Sequence, residues 1–322
     1  MQETAVAKTF GCVRVVFNDV LRAREDAFQA GLPFPTAGEL SKQLITQAKS
    51  TPEREWLGEV SAVVLQQALA DADKAYRNFF DSLKGQRKGK RVGKPRFKTK
   101  HDHRKSARFT RNARFKITVV DASREHARVY LPGIGWLRLR YSRPLPSEPS
   151  SVTLIQEADG ALFVSFTVDV PEPAALPAVN RHAGVDLGLT DYAAVVCTDG
   201  TRDKVENPRF LRNAAKKLRK AQQSLSRKEK GSKNRQKARV KVARAHRKVR
   251  DARLDHAHKL ALTLVRENQT ISVEQLNVKG LARAGVSEDA EAVGTGSLCM
   301  TPRGGSSSGS SPRPPRGTDG HS

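Results

Sequence analysis

The sequence is poor in negative charge, in cysteine and in long apolar runs. Its 322 residues hold 33 Asp and Glu against 58 Lys and Arg, a formal net charge of +25. An excess of that size points to polyanionic partners, which are DNA, RNA or an anionic membrane. Membrane is the weaker of these. No apolar run approaches the roughly 20 residues of a spanning helix. The first 18 residues have no basic head followed by an apolar stretch and a small-residue cleavage site. A cytoplasmic location is the expectation. The three cysteines, Cys12, Cys197 and Cys299, lie far apart and form no C-x-x-C pair. Neither a disulfide framework nor a structural zinc site is expected. Cys12 and Cys197 read as small buried side chains in apolar surroundings.

Periodicity divides what remains. Residues 18–105 read as a helical lobe ending in a basic loop. One helix is expected over Val16–Gln29, followed by a loop at Gly31–Pro35. A second carries an apolar stripe at Trp56, Val60, Val63/Val64, Ala68, Ala72, Ala75 and Phe79, and is expected to start near Thr51-Pro52. Lys84 to Lys105 holds eleven Lys or Arg, one acid, three Gly and one Pro, so a flexible loop is expected. Lys94, Arg96, Lys98 and Arg108 are its candidate phosphate contacts. The alternative is a solvated surface linker. Phe97 and Phe109 interleave with the charge; exposed, they could stack on bases, and buried they would open the next core. From Phe109 to Val170 the period is two, with Pro and Gly clusters between runs and a hairpin signal at Asp159-Gly160. A small antiparallel sheet or barrel is expected. Residues 171–177 read as a linker.

The next segment, Ala183-Gly-Val-Asp186-Leu-Gly188, is an apolar strand delivering a carboxylate next to a glycine. A strand fixes the carboxylate oxygen, and the small residue is expected to leave room for a phosphate. Taken alone, D-x-G is a weak signal. Arg209 to Arg250 then holds eighteen Lys or Arg and one acid, Glu229. Its apolar residues keep helical spacing on both sides of Gly231-Ser232, so two helices with basic faces are expected, as a hairpin packed on a sheet. A uniform sign along both helices repels itself without a polyanion, which favours phosphate contact by Lys216, Lys220, Arg227, Lys228, Lys233, Arg235, Lys237, Arg239, Arg244 and Arg247. The strand Ile271-Ser-Val-Glu274 follows. Two strands thus present Asp186 and Glu274, the residue types that hold Mg2+ in phosphodiester cleavage. Glu274 alone could also be a strand-end surface acid.

The segments G-V-D-L-G-L-T-D-Y-A, E-N-P-R-F-L, LSRKEKGSKNRQKARVKVARAHRKV and I-S-V-E-Q-L-N-V-K-G-L resemble the RuvC-like domain of TnpB (OrfB) proteins. These are encoded by bacterial insertion sequences and related to type V CRISPR effectors. Upstream, S-A-V-V-L-Q-Q-A-L-A-D-A-D-K-A-Y-R-N-F-F, G-K-P-R-F-K and S-A-R-F-T resemble the family's helical recognition lobe and the entry to its wedge barrel. The likeness runs from about Thr9 to Arg283. It implies an α+β multidomain chain: a wedge-like β domain from residues 1–17 and 106–172, the helical lobe at 18–105, and an RNase H-like (RuvC) α/β nuclease domain at 180–285. It further implies RNA-guided DNA cleavage with Mg2+, a guide RNA and DNA as partners, and a link to transposition and DNA recombination. By position, Asp186 is the first catalytic carboxylate and Glu274 the second.

The sequence departs from the family pattern at both ends. The wedge strand expected before Gln2 is missing. After N-V-K-G-L the family's zinc ribbon and third catalytic Asp are not visible. Residues 286–322 are rich in Gly, Ser, Pro and Arg and read as a disordered tail. Asp289 and Asp319 lack strand or helix context. A truncated copy with a frameshift near Ser287–Gly296 is therefore expected, with weak or no nuclease activity and RNA binding that survives better. The alternatives are a catalytically inactive DNA- or RNA-binding remnant and an architectural RNA binder.

Overall fold

The computed structural model describes residues 2–121, 126–172, 176–188 and 190–274. The expected tail, with Cys299, Asp289 and Asp319, lies outside them. The chain forms two units: Met1–Pro177 with Leu218–Lys248, and Ala178–Lys217 with the chain from Val249 onward. Among the described residues no helix is long and apolar enough to cross a membrane.

In the first unit, helix α1 (Gln2–Gln29) buries Val6, Phe10, Val13, Phe17, Val20 and Arg24, one stripe at spacings of three and four. The stripe already begins at Val6, so the helix expected from Val16 starts at Gln2 instead. It ends at Gly31, whose φ of +66° lets Leu32 N–H donate to Ala27 C=O and Gly31 N–H to Phe28 C=O. Cys12 lies on the buried side, and burial pushes its thiol up to about 11, well out of the reactive range. A short helix α2 (Ala37–Ser41) opens on a Thr36/Glu39 capping box and continues as π and 3-10 turns to Ser50.

Helix α3 spans Ala62–Leu83, eleven residues after the Thr51 start expected for it. The stripe is interrupted because Glu55–Glu59 is a 3-10 turn and Val60 is extended. There the chain meets Gly133, whose Cβ position is 3.5 Å from Ser61 N. Arg24 of α1 donates to Asp73 of α3 at 2.7 Å.

The period-two region gives six strands in this unit. They are β1 (Lys105–Thr110), β2 (Lys116–Asp121), β3 (His126–Leu131), β4 (Gly135–Arg140), β5 (Ser151–Gln156) and β6 (Leu162–Thr167). They pair as two antiparallel sheets, β1-β5-β6 and β2-β3-β4. The expected barrel is therefore not closed. Between β4 and β5 the chain carries Pro144, Pro146 and Pro149, which cannot donate to a ladder, and a register shift at Val119/Asp121 bends β2. Both sheets bury one face in the core shared with α1 and α3, through Phe109, Val129, Leu131, Val152 and Leu154. Phe109 is fully buried, and its removal would cost about 3–5 kcal/mol. Asp159-Gly160 forms the expected hairpin, with Gly160 at φ +82°.

The second unit holds a four-stranded sheet in the order β10-β7-β8-β9, from β7 (His182–Asp186), β8 (Asp191–Cys197), β9 (Arg202–Glu206) and β10 (Thr270–Val273). β7, β8 and β9 form an antiparallel meander, and β10 joins β7 in parallel. A parallel neighbour needs a long crossover, supplied here by helices α4 (Phe210–Ser226) and α5 (Lys233–Glu267). The break expected at Gly231-Ser232 lies between them. One sheet face buries Ala183, Val185, Ala193, Val195 and Cys197 under Leu260 and Leu264 of α5. Cys197 contacts Asn268 Oδ1 at 3.8 Å within this layer, a structural position.

Candidate metal and nucleic-acid site

Alternation decides which side chains meet on the sheet of the second unit. In β7, Ala183 and Val185 are buried, so His182, Gly184 and Asp186 face the other way and are exposed. Gly184 pairs with Val196 and Asp186 with Ala194 on β8. On β10, Ser272 pairs with Gly184 and Val273 with Val185 in parallel register. Glu274, the next residue, therefore stands beside Asp186 on the same open face. Neighbouring strands are about 4.8 Å apart, a separation two carboxylates can span to share an ion. The face forms a concavity of about 610 Å3 whose lining includes Gly184, Asp186, Ala194, Val196, Ser272 and Glu274. Both carboxylates are exposed. Among the described residues no cluster of three or more His, Cys, Asp or Glu with metal-holding geometry is present.

Gly188 has a different role from the one expected. A Cβ there would lie 2.8 Å from the Asp191 carbonyl oxygen. The space at Gly188 that was assigned to a phosphate is taken by the Asp191 carbonyl. Gly184 is the glycine with room: its Cβ position is 3.8 Å from the nearest atom, Val196 O.

The candidate cations divide into engaged and outward-facing groups. Lys94 is ion-paired with Glu25, which raises its pKa. Lys98 sits 3.8 Å over the Phe17 ring, and burial lowers its pKa. Its backbone is held at both ends by the Asn18 side chain, at 2.8 and 2.9 Å. Arg108 pairs with Asp71. The basic segment is thus tied down on α1 rather than a free loop, with Arg96 and Phe97 exposed, Phe97 at 54%. Of the two phenylalanines left open by the sequence, Phe97 is outside and Phe109 is core.

On the helices and the turn between them, Lys216, Lys220, Arg227, Lys228, Lys233, Lys237, Arg239 and Arg244 are exposed, and only Leu218 and Ala238 of α4 and α5 are buried. Arg239 also donates to His101 C=O at 3.3 Å. Two candidates do structural work. Arg235 donates to Leu225 C=O at 3.1 Å and Lys228 C=O at 2.7 Å, holding the turn between the helices. Arg247 donates to the buried Asp159 at 2.8 Å, and Asp159 also accepts from Ala161 N–H.

Residues 165–285 match the family model described as "Probable transposase" (OrfB), and residues 1–32 match a helix-turn-helix domain model. The chain carries an OrfB transposase region over those residues. A relative from Streptomyces pristinaespiralis, named "Putative RNA-guided DNA endonuclease", is 39% identical over 287 residues, 88% of this chain and 66% of its own. "Putative RNA-guided DNA endonuclease InsQ" of Escherichia coli (strain K12) is 30% identical over 283 residues, 88% of this chain and 65% of its own. The chain thus spans just under two thirds of the length of these relatives. Among solved structures, a chain of the "Cas12f1-sgRNA-target DNA complex" is similar at 12% identity and a TM-score of 0.47, over 86% of this chain and 66% of that one.

Proposed function

We propose that this chain is an OrfB-family, RNA-guided, Mg2+-dependent DNA endonuclease tied to transposition and DNA recombination, acting in the bacterial cytoplasm. Asp186 and Glu274 are its first and second catalytic carboxylates in an RNase H-like (RuvC) domain. Guide RNA and DNA are the partners of its basic surfaces. The helical lobe and small sheets of the first unit serve as the recognition and wedge parts. The observation that supports this most is the parallel register that puts Asp186 and Glu274 side by side on one open face.

The donor set fits the metal. Mg2+ takes one or two protein carboxylates and completes its octahedron with water and substrate phosphate oxygens. When bound, it supplies charge neutralisation at the scissile phosphate and activates water. The residues of the chain do the rest. β7 and β10 hold the two carboxylates in fixed register, and the small side chains of Gly184 and Ala194 leave the face open to a phosphate backbone. Exposed cations along α4 and α5 hold the polyanion.

The test is cleavage. The protein, purified with the RNA it retains, is given DNA complementary to that RNA. Cutting that requires Mg2+ and is abolished in Asp186→Ala is the expected result. No cutting, or cutting that Asp186→Ala leaves unchanged, contradicts the proposal.

A further inference from the structure

The β2-β3-β4 sheet has a second face that lies outside the basic segments read from the sequence. Its inner face is set by Ile117, Val129 and Leu137, with Val129 fully buried. Alternation therefore places Lys116, Tyr130 and Trp136 in one row across the outer face and Thr118, Arg128 and Arg138 in the next. Lys116, Arg128 and Arg138 are exposed and Trp136 is 42% exposed. The Tyr130 and Trp136 rings lie 5.5 Å apart at 53°, so they form one aromatic platform on the sheet.

Two features of this face point outward from the described residues. Tyr130 and Trp136 together give this face a paired aromatic surface of the kind enriched where proteins meet partners. Arg128 and Arg138 are also directly opposed across the ladder, where like charges repel and weaken the pairing. An anion seated between them removes that repulsion. Flat apolar rings flanked by cations match a nucleotide, whose base stacks while its phosphate pairs with the guanidinium groups.

We propose that this face binds unpaired nucleotides of a single strand, with a base on the Tyr130–Trp136 platform and its phosphates at Arg128, Arg138 and Lys116. The site rests on the reading of the chain as a nucleic-acid binder, and it is separate from the carboxylates. A duplex keeps its bases stacked inside and does not fit.

The chain has two tryptophans, so Trp56→Phe leaves Trp136 as the sole emitter. Short oligouridylate, oligothymidylate and a duplex of matched length are titrated against this variant. Either single strand is expected to quench Trp136, and the stronger quencher identifies RNA or DNA as the source. The duplex is expected to leave the emission largely unchanged. Trp136→Ala, and separately Arg128→Ala with Arg138→Ala, should weaken single-strand binding about tenfold. The arginine pair is fully on the surface, so it keeps the test valid if the tryptophan variant folds poorly. Salt-dependent single-strand binding with unchanged Trp136 emission and unchanged affinity in the arginine variant overturns this site alone. No binding of any probe overturns the nucleic-acid reading with it.

Discussion

Asp186 and Glu274 each stand one residue beyond the Val185–Val273 pair, on neighbouring parallel strands. The two are far apart in the sequence: β8 and β9 extend the sheet on one side of β7, and the helices then return the chain to its other side. α4 and α5 provide that return and carry more than half of the net positive charge. In the proposed function the layout couples two tasks: the crossover needed to make β10 parallel to β7 is also the basic surface offered to phosphate.

Binding of RNA or DNA should therefore weaken steeply with salt. Every phosphate that the protein neutralises adds about 0.7 to 0.9 to the slope of log K against log [salt]. Lys237 and Arg244 are exposed on α5. Replacing both with alanine should lower the slope by roughly 1.4 to 1.8 and weaken binding evenly across sequences. Filter binding over a salt series measures this, and an unchanged slope would place the phosphate path elsewhere.

Arg247 should behave differently from those two. Its partner Asp159 is buried, with 1% of its side chain exposed. Burial opposes ionisation of Asp159, but the Arg247 guanidinium and the Ala161 amide more than offset it, and the pKa lies below the ordinary carboxylate value. A depressed folded pKa means the contribution to stability is complete above the unfolded value of about 3.9 and is lost as pH falls through the folded value. Arg247→Ala leaves a buried carboxylate without this partner, at a cost of roughly 3 kcal/mol near neutral pH. Thermal melts from neutral to acidic pH should show a large deficit for the variant at neutrality and a smaller one below about pH 4. A uniform deficit would mean that poorer packing, not charge, is responsible.

The two glycines beside Asp186 give a paired prediction. Gly188→Ala drives a methyl into the Asp191 carbonyl, at 2.8 Å, and should destabilise the second unit by about 1–3 kcal/mol. Gly184→Ala meets nothing closer than 3.8 Å. It should be neutral or stabilising by about 0.5–1 kcal/mol, since alanine loses less freedom in a strand. Denaturant melts of both variants check the contrast, and equal effects would refute it.

Local features of the fold were legible in the sequence. Asp159-Gly160 and Gly231-Ser232 break the chain where their residue chemistry says they must. The carboxylates could be picked out because each ends an apolar strand. What could not be read depends on pairing between distant segments. Val60 is extended where it packs against Gly133, a residue far along the chain, just before α3 starts. Lys94, Arg108 and Arg247 look like their basic neighbours until Glu25, Asp71 and Asp159 are brought to them. The outer face of β2-β3-β4 was hidden for the same reason. Tyr130 and Trp136 become a platform only once the register aligns them. Prolines between β4 and β5 separated two sheets that strand periodicity alone suggested could close into one barrel.

Divalent-ion binding at the paired carboxylates is the most direct test of their role. Mn2+ in place of Mg2+ can be followed by electron paramagnetic resonance as it is titrated into the protein, Asp186→Asn and Glu274→Gln. Both residues are exposed, so the variants should keep their stability within about 0.5 kcal/mol. The prediction is a bound Mn2+ population in the unaltered chain that either substitution weakens at least tenfold. Mn2+ binding that both variants retain in full would contradict the assignment of Asp186 and Glu274 as a shared metal site.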